Sequence, residues 1–431
     1  MGLIIIRGAT LIDGTTVDIR ADKMIVALAE RLDALPGDDV LDAHGGLVIP
    51  GLHDHHVHIR AAAAAAGSVR LGPPQVRSRI ELIAALAAAE IGADGWIRAV
   101  GYHDSVAGPL DRHTLDALSP PVPVRVQHRS GVLWTLNTAG LAAIGQSDHH
   151  DGRLRSSDPE WAGDLPRRAG GLAELGSRLA SYGVTGITDA TPDLAGTDAE
   201  LLSAALPQHV HRLSPGKRIL HDDLLDLDGL TDWVRSSHDR GTAVALHCVT
   251  VSQLVVAMAA LRVAGVHRGD RIEHAALVPP DCLTELAELG VTVVTQPNFV
   301  AERGDEYLAD VPAEDHGLLW RVQTLVNAGV RVALSTDMPF GLGDPWGAMR
   351  AAVDRRTGTG EVLGPDECVP PRTALEMFLG AADDPSKPRT LAPGQPADLC
   401  VLAAPPDAVL AELDARLVRT TMVGGRPIYG S

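Results

Sequence analysis

Asp54, His56 and His58 fall at alternate positions in the run Pro50-Gly51-Leu52-His53-Asp54-His55-His56-Val57-His58. In a β-strand, residues i, i+2 and i+4 share one face. Alternation therefore predicts that these three side chains point one way, and His53 and His55 the other. Two imidazoles at that spacing suit a divalent transition metal, with Asp54 as a carboxylate that orients a ligand from behind. More donors close apolar runs downstream: residues 242–246 lead to His247, Arg271-Ile272-Glu273 to His274, and residues 330–336 to Asp337. A lone histidine at a strand end is most often structural. Three such residues after successive apolar runs, with the paired histidines upstream, predict one metal site.

Lys217 is a further candidate. The chain has only three lysines, Lys23, Lys217 and Lys387. A buried lysine near metal can lose its proton, react with CO₂ and bridge two ions as a carbamate. The competing reading is a surface lysine at a strand start. Alternation puts His221 on the same face, as a replacement ligand or a substrate contact. Gln296 after the next apolar run, Arg303 on a loop beyond it, and Tyr102, His103 and Trp134 upstream are further candidates for substrate contact. Each has a structural alternative in packing, turn formation or a surface ion pair.

The elements that must position these residues follow from hydropathy. Apolar runs at 183–189, 242–247, 270–274, 292–296 and 330–337 alternate with helix-like stretches at 170–182, 252–264, 280–289 and 320–327. Continuous apolar strands between helices indicate a parallel sheet covered on both faces. In a parallel barrel, chemistry sits at the C-terminal strand ends. A closed barrel and an open doubly wound sheet both fit the beat, although no G-x-G-x-x-G follows a strand to mark a dinucleotide fold. Short β segments in the first fifty residues match others at 398–402 and 420–423, which predicts that the two chain ends pair into one small β-sandwich.

Composition narrows the class. The 431 residues are 45% hydrophobic and 21% charged, as in an ordinary globular protein. A net charge of −18 argues against nucleic acid or an anionic membrane as partner. No apolar run approaches bilayer length, and the start reads as a strand rather than a signal peptide. Cys248, Cys282, Cys368 and Cys400 form no CxxC pair, as expected for reduced thiols in the cytoplasm. The partner expected is a small-molecule substrate. No motif sets an oligomeric state, and a homodimer stays open.

Taken together, Asp54-x-His56-x-His58, His247, His274 and Ser335-Thr336-Asp337 resemble the amidohydrolase superfamily, in its amidohydrolase-3 branch of YtcJ-like proteins and N-substituted formamide deformylases. The lead-in at residues 42–52 and the turn at 392–399 are similar to the same family, as are two pieces of an inserted lobe, residues 95–104 and 130–137. Tyr102-His103-Asp104 departs from the usual Gly-Trp-Asp, and Val132 stands where many relatives have histidine. The resemblance implies an α/β fold: a (β/α)₈ TIM barrel at 51–389, an insert at about 70–165 after barrel strand 1, and a composite β-sandwich from 1–50 and 390–431. It implies a metal-dependent hydrolase of non-peptide C–N bonds, such as amides, cyclic amides or N-formyl and N-acyl groups. His56, His58, Lys217, His247, His274 and Asp337 would hold one or two divalent ions, most readily zinc, with Lys217 carboxylated if there are two. Asp337 would be the general acid and base. Alternatives are a mononuclear deaminase, disfavoured because no acid follows His247 closely, and a non-catalytic metal-binding scaffold.

Overall fold

Thr292-Val293-Val294-Thr295 is β-branched throughout and buried at every position, as a strand covered on both faces must be. It is one of eight strands that lie in two sheets, parallel within each, labelled here β1 (Leu52–Val57), β2 (Val184–Asp189), β3 (His209–Arg212), β4 (Lys217–Ile219), β5 (Ala245–Cys248), β6 (Arg271–His274), β7 (Thr292–Thr295) and β8 (Arg331–Leu334). The computed structural model describes residues 3–155, 161, 171–192, 194 and 196–430. Within these, β3-β2-β1 form one sheet and β4-β5-β6-β7-β8 another. Helices Val251–Ala264 and Leu283–Leu289 connect successive strands of the second sheet, giving an α/β fold. The first is started by a reciprocal cap, Thr250 accepting from the Gln253 amide while the Gln253 side chain reaches back. Its burial of Leu254, Ala257, Met258 and Leu261 sets it against the sheet.

Two local features break the regular beat. Residues 213–216 alone join β3 to β4, too short for the dozen or more residues of a helical crossover. The strand pairing divides at this link. The second feature is the register of β1 against β2, which shifts twice in opposite senses: Leu52 pairs with Val184 but His53 with Gly186, and Asp54 pairs with Ile187 but Val57 with Asp189. An extra residue in one strand is a β-bulge, and here one falls in each strand.

The chain ends fold on one another. Strands Ile4–Thr10, Thr16–Ala21, Ile25–Ala29 and Asp39–Asp42 form one sheet. Val48–Pro50 instead joins Leu399–Leu402, Val418–Val423 and Arg426–Tyr429 in a second. Ile6, Ile19, Ile25 and Val48 share one core with Leu399, Val401 and Met422. Each such side chain stabilises the fold by about 1.5–3 kcal/mol on full burial. All four cysteines are free thiols, three of them buried. No helix among the described residues is long and apolar enough to cross a membrane.

The chain divides into two compact units: residues 1–59 with 172–431, which carry the eight strands and the paired chain ends, and residues 60–171. The second unit has its own five-stranded sheet, built around Val124–His128 and Ile97–Tyr102. Its core contains Leu71, Leu82, Leu86, Leu115 and Tyr102.

Candidate metal centre

The β1 histidines divide between two sides as alternation predicts, His53 with His55 and His56 with His58. His53 bonds Thr188 Oγ1 through Nε2 at 2.8 Å and stacks on His55 at 4.6 Å between ring centroids. A Cβ on Gly186 would lie 2.4 Å from His53 Nδ1, so β2 must carry glycine there. His56 and His58 both turn toward Asp337, with Nε2 atoms 3.6 and 3.5 Å from its Oδ1. Ligand atoms of these three residues lie within 4.8 Å of one another, the spacing a single metal ion needs.

His56 is fixed from behind. His56 Nδ1 meets Glu273 Oε2 at 2.5 Å, while Arg271 Nε and Nη2 donate to the same carboxylate at 2.7 and 3.0 Å. A carboxylate in that position accepts, so the His56 proton resides on Nδ1 and the Nε2 lone pair faces Asp337. Glu273 and Arg271 stand outside the residues singled out by sequence. The only signal for Glu273 is its place directly before His274 on a buried strand, which by pattern reads as a defect in an apolar run.

Asp54 was expected behind a histidine ligand. It instead accepts Thr336 N at 3.0 Å and Thr336 Oγ1 at 2.5 Å, which ties β1 to the residue before Asp337. Burial raises the Asp54 carboxyl to about 7 even against these bonds. Asp337 has φ +54° and His274 φ +71°, left-handed conformations that non-glycine residues rarely adopt and that cluster at functional sites. The Asp337 backbone is held by its N–H to His56 O at 3.0 Å and its carbonyl to Phe340 N at 2.8 Å.

The other predicted donors adjoin this group. The His274 ring lies 4.7 Å from that of His56 and 4.4 Å from that of His247, centroid to centroid. Gln296, expected to contact substrate, gives its amide oxygen to His274 Nδ1 at 2.8 Å and its nitrogen to Ser335 Oγ and Val294 O. Val294 O can only accept, so the amide orientation is set, His274 Nδ1 carries its proton and Nε2 is left as the lone pair. Burial holds His56 and His274 well below the usual imidazole range, with Lys217 among the charges that add to it. His247 is pushed down to about 3 by burial and then by Lys217. Neutral imidazoles are the form that binds metal.

Lys217 is 5% exposed, not on the surface, and its Nζ has no hydrogen-bond partner among the described residues. Burial lowers it to about 8, against the favourable fields of Glu273 and Asp337. His56 Nε2 and Asp337 Oδ1 are likewise buried without a hydrogen-bond partner. Buried polar atoms are almost always paired. An imidazole lone pair on His56, a carboxylate oxygen on Asp337 and the Lys217 nitrogen are left without partners, and with His58 Nε2 at 3.5 Å from that carboxylate the donor set fits a divalent cation.

The remaining candidates have the following surroundings. His221 lines a cavity of about 180 Å³ with Arg218, Leu220 and Leu224. Arg303 sits on helix Asn298–Asp310 rather than a loop, with Nη2 donating to Phe340 O at 2.6 Å and the guanidinium 4.0 Å over the Phe299 ring. Tyr102, His103 and Trp134 belong to the second unit. Tyr102 is in its core, the hydroxyl donating to Gly108 O. His103 caps helix Asp104–Ala107. Trp134 carries Arg125 on its face and meets the Trp161 edge. Asp189 accepts Ile59 N at 2.9 Å and so satisfies the start of helix Ile59–Ala66.

The sequence model of the Amidohydrolase family matches residues 39–429. The chain belongs to the amidohydrolase family. It is similar to an N-substituted formamide deformylase of Arthrobacter pascens, 25% identical over 97% of this chain and 94% of that one. It is also similar to the putative amidohydrolase YtcJ of Bacillus subtilis, 24% identical over 49% of this chain and 41% of that one. Among solved structures, an uncharacterized metal-dependent hydrolase from Pyrococcus horikoshii superposes with a TM-score of 0.73, at 19% identity over 94% of this chain and 98% of that one. The last likeness speaks to the fold. With the family assigned, this amidohydrolase is a hydrolase acting on carbon–nitrogen bonds, and its His–His–Asp group is suited to a divalent metal.

Proposed function

We propose that this amidohydrolase cleaves a non-peptide C–N bond of a small molecule, an amide, cyclic amide or N-formyl or N-acyl group, at the group formed by His56, His58, Lys217, His247, His274 and Asp337. The observation that carries the proposal is the convergence of His56 Nε2 and His58 Nε2 on Asp337 Oδ1. The 94% coverage of a formamide deformylase favours N-acyl or N-formyl amines within that class. We take the two parallel sheets as arcs of one (β/α)₈ barrel, residues 51–389, that lacks a helix between β3 and β4. Support comes from the seam between β1 and β8, where His58 N donates to Met338 O at 2.8 Å and Thr336 N to Asp54. The paired ends, 1–50 and 390–431, then form the sandwich. Free cysteines accord with a reducing, cytoplasmic setting.

In this reading His56, His58 and Asp337 would hold one zinc ion and His247 and His274 a second. Lys217 would serve both as a carbamate, formed when its neutral Nζ adds to the carbon of CO₂ and releases a proton. Zinc bound there supplies a nucleophilic water at neutral pH by lowering its pKa to about 7. Asp337 takes the proton from the attacking water and returns it to the leaving nitrogen as the C–N bond breaks. Glu273 and Gln296 keep the imidazole lone pairs aimed inward throughout. The test is elemental analysis of the purified protein with a panel of N-formyl amines, N-acyl amines and cyclic amides. About two zinc ions per chain and amine release are expected. A protein that binds no metal and releases no amine is not this hydrolase.

A further inference from the structure

Two of the imidazoles are held by chemically different partners. His56 Nδ1 meets a carboxylate, Glu273, and His274 Nδ1 meets a neutral amide, Gln296. The difference extends outward. Glu273 is gripped by two Arg271 nitrogens, and Arg271 Nη2 also donates to His55 O at 2.7 Å. Arg271 therefore bonds both the backbone carbonyl immediately before His56 and the carboxylate on its ring. Glu273 and Arg271 are 0% and 3% exposed, so nothing in this assembly is screened by solvent. Beyond His274, Gln296 donates to Ser335 Oγ and Val294 O.

An anionic acceptor on the far nitrogen raises the basicity of an imidazole and fixes its ring more firmly than a neutral acceptor does. We propose that Glu273, clamped by Arg271, is a positioning residue that makes His56, His58 and Asp337 the tighter of two metal-holding groups. Gln296 leaves His247 and His274 as the weaker. The inference rests on the metal-dependent reading above and deepens it, because it ranks the two ends of the cluster.

The experiment is a zinc titration of chelator-stripped full-length protein against a chromophoric chelator, repeated with cobalt to follow its d–d absorption. Wild type is compared with Glu273→Gln, Arg271→Lys and Gln296→Leu, and the melting temperature of each stripped protein is recorded. Glu273→Gln is expected to weaken the tighter step by about 10–100-fold and to alter the first cobalt spectrum. Arg271→Lys should weaken the same step by less, and Gln296→Leu only the second. A Glu273→Gln protein that melts lower yet binds zinc like wild type has lost a structural tie alone, which overturns the proposal. So does weakening confined to the second step. Should Glu273→Gln fail to fold, Arg271→Lys decides by the same criterion. If wild type takes up no zinc, the metal-dependent reading fails and this inference with it. Zinc uptake unaffected by either variant removes the inference alone.

Discussion

Asp54 accepts both the main-chain N–H and the hydroxyl of Thr336, 282 residues away and directly before Asp337. The pair ties β1 to the segment that must turn Asp337 into a left-handed conformation, which costs on the order of 1–3 kcal/mol and persists only where neighbours enforce it. Removing the carboxylate leaves the buried Thr336 N–H unpaired, at about 1–3 kcal/mol. Asp54→Ala is therefore expected to lower the melting temperature and to reduce zinc uptake together. Asp54→Asn keeps an acceptor for the N–H and should fall between. Scanning calorimetry with metal analysis checks this, and an Asp54→Ala protein with wild-type melting and zinc content would refute it.

Asp337 has a double assignment, as a ligand and as the group that carries the proton from water to leaving nitrogen. Asparagine can still offer an oxygen but cannot take a proton. Asp337→Asn should drop kcat by at least about 10²-fold for whatever C–N substrate is found, with the fold intact by circular dichroism. Retained turnover would remove Asp337 from the proton path.

The reasons these residues were visible or hidden in the sequence are physical. His247, His274 and Asp337 stand out because each follows an apolar strand, and the strands were legible from β-branched runs such as Thr292–Thr295. The facing of the β1 histidines was legible, because alternation puts His56 and His58 on one side and His53 and His55 on the other. The partner of Asp54 was not, because Thr336 is brought to it from 282 residues away. Glu273 was hidden for another reason. A charged residue in a buried strand declares itself only once its partners, Arg271 and His56, are brought beside it from positions as far as 217 residues apart. For Gln296, at the end of an apolar run, and Arg303, beyond it, the sequence offers polarity but no partner, and the contacts with His274 and Phe340 depend on tertiary structure.

Lys217 offers a test with a sign. Burial brings its folded pKa to about 8, below the roughly 10.4 of an exposed lysine. Below pH 8 the ammonium is charged in both states and its burial penalty is present in full. As pH rises from 8 toward 10, the folded state releases its proton first and the penalty fades. Stripped, CO₂-free wild type should therefore gain stability across that window relative to Lys217→Met, measured as the difference in melting temperature. Under the carbamate reading, bicarbonate restores activity and the second zinc equivalent in wild type and does neither in Lys217→Met. A bicarbonate-independent wild type would leave Lys217 as an ordinary buried amine.

At the base of β3, His209 Nε2 lies 3.0 Å from Asp398 Oδ2, next to the strand that pairs the two chain ends. The bond to Asp398 raises the His209 pKa. Burial pushes Asp398 upward, but its bonds to His209 and to Gly424 N outweigh this and hold it below the usual carboxylate range. The histidine contribution is fully present below about pH 6.5 and is lost as pH rises through its raised folded value. The aspartate contribution is present above about 3.8 and is lost as pH falls through its lowered one. The pair thus stabilises the protein between these limits. Its His209 side is exposed, so the effect is small, on the order of 1 °C. Wild type should melt above His209→Gln at pH 5.5, and the two should converge by pH 8.5. A difference constant with pH would mean that the contact is held by packing and carries no charge.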